Sequence, residues 1–147
     1  MGDLLANGPL LVALAATSFA QVIKILIVAA TERRFAPERL LETGGMPSSH
    51  SAAVTSLAIA LGLEYGWDSP WFAVAAVFGG IVMYDATGIR RAAGMQAKMI
   101  NDLVEELAHL FDVGFRPQAL KTLLGHTYPQ VLAGALLGVM TATAFSF

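Results

Sequence analysis

Apolar residues run almost unbroken from Pro9 to Ala30. These are about 22 positions, enough for the ~20 that a helix needs to cross a bilayer core. Gln21 and Lys24 interrupt the run toward its later end. A second run, Ser51 to Leu63, covers about 13 residues, some 20 Å at 1.5 Å per residue, too short to cross unaided. It either starts inside a protein-lined cavity or is extended by the Met46 to His50 segment. The turn Glu64-Tyr65-Gly66-Trp67-Asp68-Ser69-Pro70 sets an aromatic pair at interface depth and a proline suited to begin a helix. A third span is predicted from Trp71 to about Thr87, and the last from Val131 to Phe147. Between them the texture changes. In Arg91 to Phe111 the residues Ile100, Leu103, Val104, Leu107, Leu110 and Phe111 recur at helical spacing, with Lys98, Asp102, Glu105, Glu106 and His109 elsewhere. This is an amphipathic helix, expected to lie along the membrane or pack against the bundle. Gly114 to Arg116 breaks it, and Pro117 to Leu124 could form a short helix. The pattern therefore predicts an all-α integral-membrane bundle of about four transmembrane spans plus an amphipathic helix, one domain over residues 1–147.

Composition points the same way. Hydrophobic residues make up 56% of the 147 and charged residues 14%, against roughly 25% charged in an average soluble domain. Mean hydropathy is +0.63. The absence of cysteine excludes disulfide and thiolate chemistry, and no Cys/His cluster suggests zinc, so neither metal nor cofactor is expected. No basic stretch precedes the first apolar run, which is read as a retained transmembrane helix. Arg33, Arg34 and Arg39 follow the first span, and Arg90, Arg91, Lys98, Arg116 and Lys121 lie between the third and fourth. The positive-inside rule puts both loops in the cytoplasm, with the termini and the Glu64 to Pro70 turn outside, the membrane being the plasma membrane if the chain is bacterial. That topology brings Pro47 to His50, Asp85, Arg90, Arg91 and His126 to one face.

Chemistry concentrates in a few short segments. Gly44-Gly45-Met46-Pro47-Ser48-Ser49-His50-Ser51 opens directly onto an apolar run. Pro47 fixes a backbone dihedral, Ser48 and Ser49 are good N-caps, and the free N–H groups of a helix start bind phosphate readily. His50 adds a group that exchanges protons near neutrality. The same residues also read as a plain helix cap with a polar histidine at the interface. His126 lies just before the last span, with Gln130 four residues on, where it can accept from the ring and hold its tautomer. Phosphoryl transfer through such groups needs one imidazole as nucleophile, a second acid for the leaving oxygen, and cations around the phosphoryl oxygens. Lys24, Arg33, Arg34, Arg90, Arg91 and Lys121 supply cations, although positive-inside topology alone would also put basic residues there. Asp85 is costly in a span unless paired. It can orient His126 or join a cation site, and it can equally be the counter-ion of Lys24, Arg90 or Arg91. Asn101, Asp102, Glu105 and Glu106 carry oxygens that suit a hard cation such as Mg²⁺, and read more simply as a solvated helix face.

Pro47-Ser48-Ser49-His50 resembles the Pro-Ser-Gly-His element of the type 2 phosphatidic acid phosphatase superfamily, which includes the vanadium haloperoxidases. His126 with Gln130 resembles its final element, in which a nucleophilic His is followed four residues later by Asp. The whole chain is still more similar to the divergent branch of that superfamily, small membrane proteins of about this length. That resemblance runs through Thr31-Glu32-Arg33-Arg34, the Gly44 to Ser51 segment, Tyr84-Asp85-Ala86, Gly88-Ile89-Arg90-Arg91 and Leu124-Gly125-His126-Thr127. It implies that His126 attacks phosphorus, that His50 is the general acid, and that Ser48, Ser49 and nearby backbone N–H groups bind the phosphoryl oxygens. Three positions depart from the enzymes' pattern. Lys24 precedes Arg33 at a wider spacing and Arg34 is followed by Phe35. Leu120 stands where an Arg is expected, with Lys121 one position late. Gln130 replaces the Asp, and a neutral amide stabilises an imidazolium less than a carboxylate does.

The reading that follows is a membrane-embedded phosphatase or phosphotransferase acting without a metal on a phosphorylated lipid or other phosphate ester, through a phosphohistidine on His126. Two other classes stay open. One is a non-catalytic membrane protein that keeps a phosphate or headgroup site. The other is a small oligomeric transporter component, suggested by Gly79-Gly80, Gly134 and Gly138, which permit close helix contact. Expected partners are membrane lipids and a phosphate-bearing ligand, with a homodimer open and no nucleic acid.

Overall fold

The computed structural model describes residues 6–33, 45–107, 118–122 and 124–145. Among these, every regular element is a helix: α1 Gly8–Glu32, α2 Ser49–Tyr65, α3 Pro70–Thr87, α4 Ile89–Glu106 and α5 Tyr128–Phe145. The boundaries follow local chemistry. Asn7 Oδ1 accepts from the Leu10 N–H at 3.0 Å, Ser48 Oγ from Ser51 at 3.3 Å and Ser69 Oγ from Phe72 at 3.2 Å, so three helices begin on side-chain caps. Pro9 and Pro70 occupy first-turn positions, where a missing N–H costs nothing. α3 and α4 share Gly88 as a common cap.

Among the described residues, three stretches are long and apolar enough to cross a membrane: Gly8–Thr31, Pro70–Glu106 and Tyr128–Phe145. α2, with 17 residues, is the central helix, packed on α1, α3 and α5. It extends the predicted Ser51 to Leu63 run at both ends, and it lies among protein rather than lipid. Small side chains permit this position. Ser49, Ser51, Ala52, Ser56, Ala58, Ala60 and Gly62 are all buried along it, leaving backbones free to approach. On α5, Gly134 and Gly138 face α2. A Cβ on Gly138 would lie 2.6 Å from the Ala52 carbonyl oxygen, and one on Gly134 would run into the Ser48 carbonyl. Gly79 meets Val54 of α2 in the same way at ordinary contact distance. Gly79, Gly134 and Gly138 therefore serve contacts inside the chain, which removes them as support for an oligomeric transporter; Gly80 meets nothing.

The outer surface is apolar. Trp71, Val74, Val77, Phe78, Ile81 and Tyr84 of α3 are exposed, as are Leu14, Val22 and Leu26 of α1 and Leu132, Leu136 and Met140 of α5. Such a surface is unstable in water and matches a hydrocarbon environment, so the chain is an integral-membrane helical bundle. α4 is amphipathic as predicted, beginning two residues before Arg91. Its apolar residues Met99, Ile100 and Leu103 are exposed, and Gly94 and Ala97 are buried.

The segment before α5 departs from expectation. Residues 118–122 carry no helix. The Asn101 side chain takes both backbone groups of Leu120 instead, donating through Nδ2 to its carbonyl and accepting its N–H at Oδ1, each at 2.9 Å. That pairing replaces the intrahelical bonds a short helix would have made. The readings of Arg34, Arg39, Gly44, His109 and Arg116 lie outside the described residues.

Candidate functional site

Four chain segments meet at one end of the bundle. The first turn of α2 brings His50, the last turn of α3 brings Asp85 and Ala86, the first turn of α4 brings Arg90, and the loop before α5 brings Gly125 and His126. Together with Ile81 and Val82 these residues line a cavity of about 160 Å³. With roughly 30 Å³ per water in the liquid, this is room for a phosphate group. The opposite end gathers Gly8, Leu63, Glu64 and Phe145, so the histidines, Asp85 and Arg90 share one end, as the loop topology predicted.

Backbone contacts fix the loop. The His126 N–H donates to the Ala86 carbonyl at 2.9 Å, and the Ser48 N–H donates to the Gln130 carbonyl at 3.0 Å. The second bond joins the start of α2 to the start of α5, and so ties the two histidine segments together. Gly125 has φ +77°, a conformation L side chains rarely adopt. A Cβ there would also fall 2.5 Å from the Arg91 nitrogen and 2.8 Å from the Ala86 oxygen. Only glycine lets this loop lie on the α3–α4 junction.

His126 is 4% exposed. Its Nδ1 lies 3.3 Å from Gln130 Oε1, which also accepts the Thr127 N–H at 3.0 Å. Because that N–H can only donate, the Gln130 atom is an acceptor, and the neutral ring carries its proton on Nδ1. Nε2 is then a lone pair. It is buried without a hydrogen-bond partner among the described residues. Burial pushes the His126 pKa below its ordinary 6.5, helped by the Lys24 and His50 charges and opposed by the Gln130 amide oxygen and the Gly45 backbone. The unprotonated ring is thus favoured near neutrality.

The other predicted residues divide clearly. Asp85 Oδ2 accepts from Arg90 Nε at 2.6 Å, which makes Arg90 a counter-ion of Asp85. Asp85 lines the histidine cavity, but the group on His126 Nδ1 is Gln130. Lys24 is 3% exposed, its methylenes 3.4–3.6 Å from where a Gly45 Cβ would stand, and its charge reaches both imidazoles. Ser48 is completely buried and caps α2, also receiving the Ser51 hydroxyl at 3.0 Å. Ser49 is buried in the next position. Neither residue lines the histidine cavity; the Ser48 hydroxyl is taken up by the cap. Arg33 closes α1 in a left-handed conformation, and Lys121 is exposed beside Leu120; neither lines it. Arg91 lines a neighbouring cavity on the far side of Gly125. Asn101, read from sequence as solvated or cation-binding, is engaged with Leu120. Ala86 and Gly125 had no assigned role. A glycine directly before a candidate histidine was the available signal for the second, whereas a carbonyl acceptor leaves no mark in a sequence.

Fold and site together define a helical integral membrane protein with a two-histidine, cation-bearing cavity at one end. The chain belongs to the divergent PAP2 family, whose pattern matches residues 5–141. It is 44% identical over 154 residues to the uncharacterized membrane protein YuiD of Bacillus subtilis (strain 168), covering 99% of this chain and 98% of that protein. No solved structure matches.

Proposed function

We propose that the chain is a membrane-embedded phosphatase or phosphotransferase that acts on a phosphorylated lipid or other phosphate ester through a phosphohistidine on His126. One observation carries this reading. His126 presents a buried Nε2 with no hydrogen-bond partner among the described residues while Gln130 holds the opposite nitrogen, and the same cavity contains His50 and Arg90. An imidazole fixed in that tautomer is a nucleophile without a competing bond to break.

In the first step the Nε2 lone pair attacks phosphorus. The ester P–O bond breaks toward the leaving oxygen, which takes a proton from His50. Arg90 and Lys24 stabilise the charge on the phosphoryl oxygens, with Arg90 leaving Asp85 for the substrate. In the second step water attacks the phosphohistidine. His50 accepts its proton, and the P–N electrons return to Nε2. The proton stays on Nδ1 throughout, donated to Gln130 Oε1. By topology the site faces the cytoplasm.

The test is phosphate release from a panel of lipid phosphates in detergent or nanodiscs, comparing wild type with His126→Ala. Turnover should fall by at least about 10³-fold, as expected for a covalent nucleophile, and acid-labile phosphate on His126 should be trapped in wild type. Equal rates in the two proteins would defeat the proposal. A second reading, phosphate binding without turnover, is favoured by the neutral Gln130 where a carboxylate would stabilise the imidazolium. It predicts phosphate affinity in wild type with no release from any ester.

A further inference from the structure

Behind the Gly125–His126 wall lies a second cavity of about 340 Å³, bordered by Arg91, Lys98, Gly94, Gly45, His126 and Gln130. Arg91 and Lys98 are seven residues apart on α4, two turns, and so project from the same side. Gly94 lies between them. It has no side chain and is pressed against the Thr122 and Leu124 backbone, a Cβ there falling 2.7 Å from the Thr122 carbonyl oxygen. A trough is thereby left between the two cations. Among the described residues, neither forms a salt bridge and no carboxylate lines the cavity.

We infer that this cavity is a second anion site, taking a phosphate-type group between Arg91 and Lys98. Two cations facing a concave space, with no counter-charge there among the described residues, favour an anion over any neutral occupant. The position gives the occupant a use. Gln130 borders this cavity and not the histidine cavity, so a bound anion sits on the Nδ1 side of His126 and supplies the negative charge that Gln130 lacks. The site itself is independent of turnover, while its effect on His126 rests on the proposed reaction.

Phosphate from solution and the headgroup of a lipid share this chemistry, and acetylation of Lys98 separates them. In nanodiscs of neutral lipid, inorganic phosphate at four times its Kd should slow Lys98 acetylation by roughly fivefold. Phosphatidic acid in the nanodisc should do so without added phosphate if the headgroup is the occupant. Equilibrium dialysis of inorganic phosphate in neutral nanodiscs supplies the second measurement. Wild type should bind two phosphates per chain; Arg91→Gln/Lys98→Gln should bind one and Arg90→Gln the other. Lys98 unprotected by either anion, or a double variant that still binds two, overturns the inference. Absence of lipid phosphatase activity would leave both binding readouts intact, so the two proposals fail separately.

Discussion

Both ends of the bundle hold cavities, and the space at the Glu64 end is larger than the histidine cavity yet poorer in chemistry. At the end formed by Gly8, Pro9, Val12, Ala60, Leu63, Glu64 and Phe145 the space is about 380 Å³. Among the described residues that line it, Glu64 alone is ionisable. At the other end about 160 Å³ is bordered by two histidines, an aspartate and an arginine, with a buried lysine acting on both rings. Volume is left wherever helices diverge. Chemistry arises only where a polar loop is folded back onto them, and here the 118–127 segment is drawn in by Asn101, Gly94 and the Ala86 carbonyl. The Glu64 end is a simple turn between α2 and α3, closed by Trp67 on Gly62 and by an edge-on Trp67–Phe72 pair at 5.1 Å.

The contrast can be attacked first through the seam that holds the histidine end together. Gly138→Leu forces a side chain into the Ala52 carbonyl and should destabilise the bundle by about 3 kcal/mol, read as a lower midpoint of denaturant unfolding in detergent. An unchanged midpoint would mean that α2 and α5 do not meet there. Arg90→Gln removes a cation from the histidine cavity and should lower kcat/KM, or phosphate affinity if there is no turnover, by roughly 10²-fold, without moving the unfolding midpoint by more than about 1 kcal/mol.

Asn101→Ala tests whether the loop must be held for the site to work. Both Leu120 groups lose their partner, costing about 1–2 kcal/mol, and the kcat effect should exceed the stability effect because His126 is carried by the same segment. Acid provides a further probe. The His126 pKa is held below 6.5 by burial, so between that value and its folded pKa the unfolded chain binds a proton that the folded chain does not. Stability from this group is complete above pH 6.5 and falls as pH drops through that window. In His126→Ala the component should be missing from a pH series of unfolding midpoints. Glu64→Gln is the smallest perturbation and should change activity and phosphate binding by less than about twofold, since nothing at that end faces the histidines. A loss comparable to that of Arg90→Gln would erase the distinction between the ends.

Much of the fold could be read from hydrophobic pattern. The predicted first, third and last spans begin within a few residues of Gly8, Pro70 and Tyr128, and the amphipathic helix starts two residues before Arg91. Long apolar runs bounded by Pro, Gly and Ser leave few alternatives in lipid, because every backbone group must be satisfied within the segment. Less could be read of the site. His50, Asp85, Arg90 and His126 were all named and do border one cavity, because loop charge had assigned them to the same side. Ser48 and Ser49 were assigned to phosphate, yet both are buried and neither lines the histidine cavity. Gly134 and Gly138 signalled close helix contact, but whether the partner was α2 or another chain had no signature in the letters.

The sequence by itself determined that this chain inhabits a membrane, where its helices run, and which titratable and charged side chains gather at one face. These follow from local composition and spacing, which act over one or two helical turns. Only the tertiary structure decided which nitrogen of His126 is left unpartnered, that Arg90 is the ion partner of Asp85, and that Arg91 faces a different cavity from its neighbour. Those outcomes depend on backbone carbonyls and side chains brought together from distant segments, and such contacts are made by packing rather than by any property of the residues taken in order.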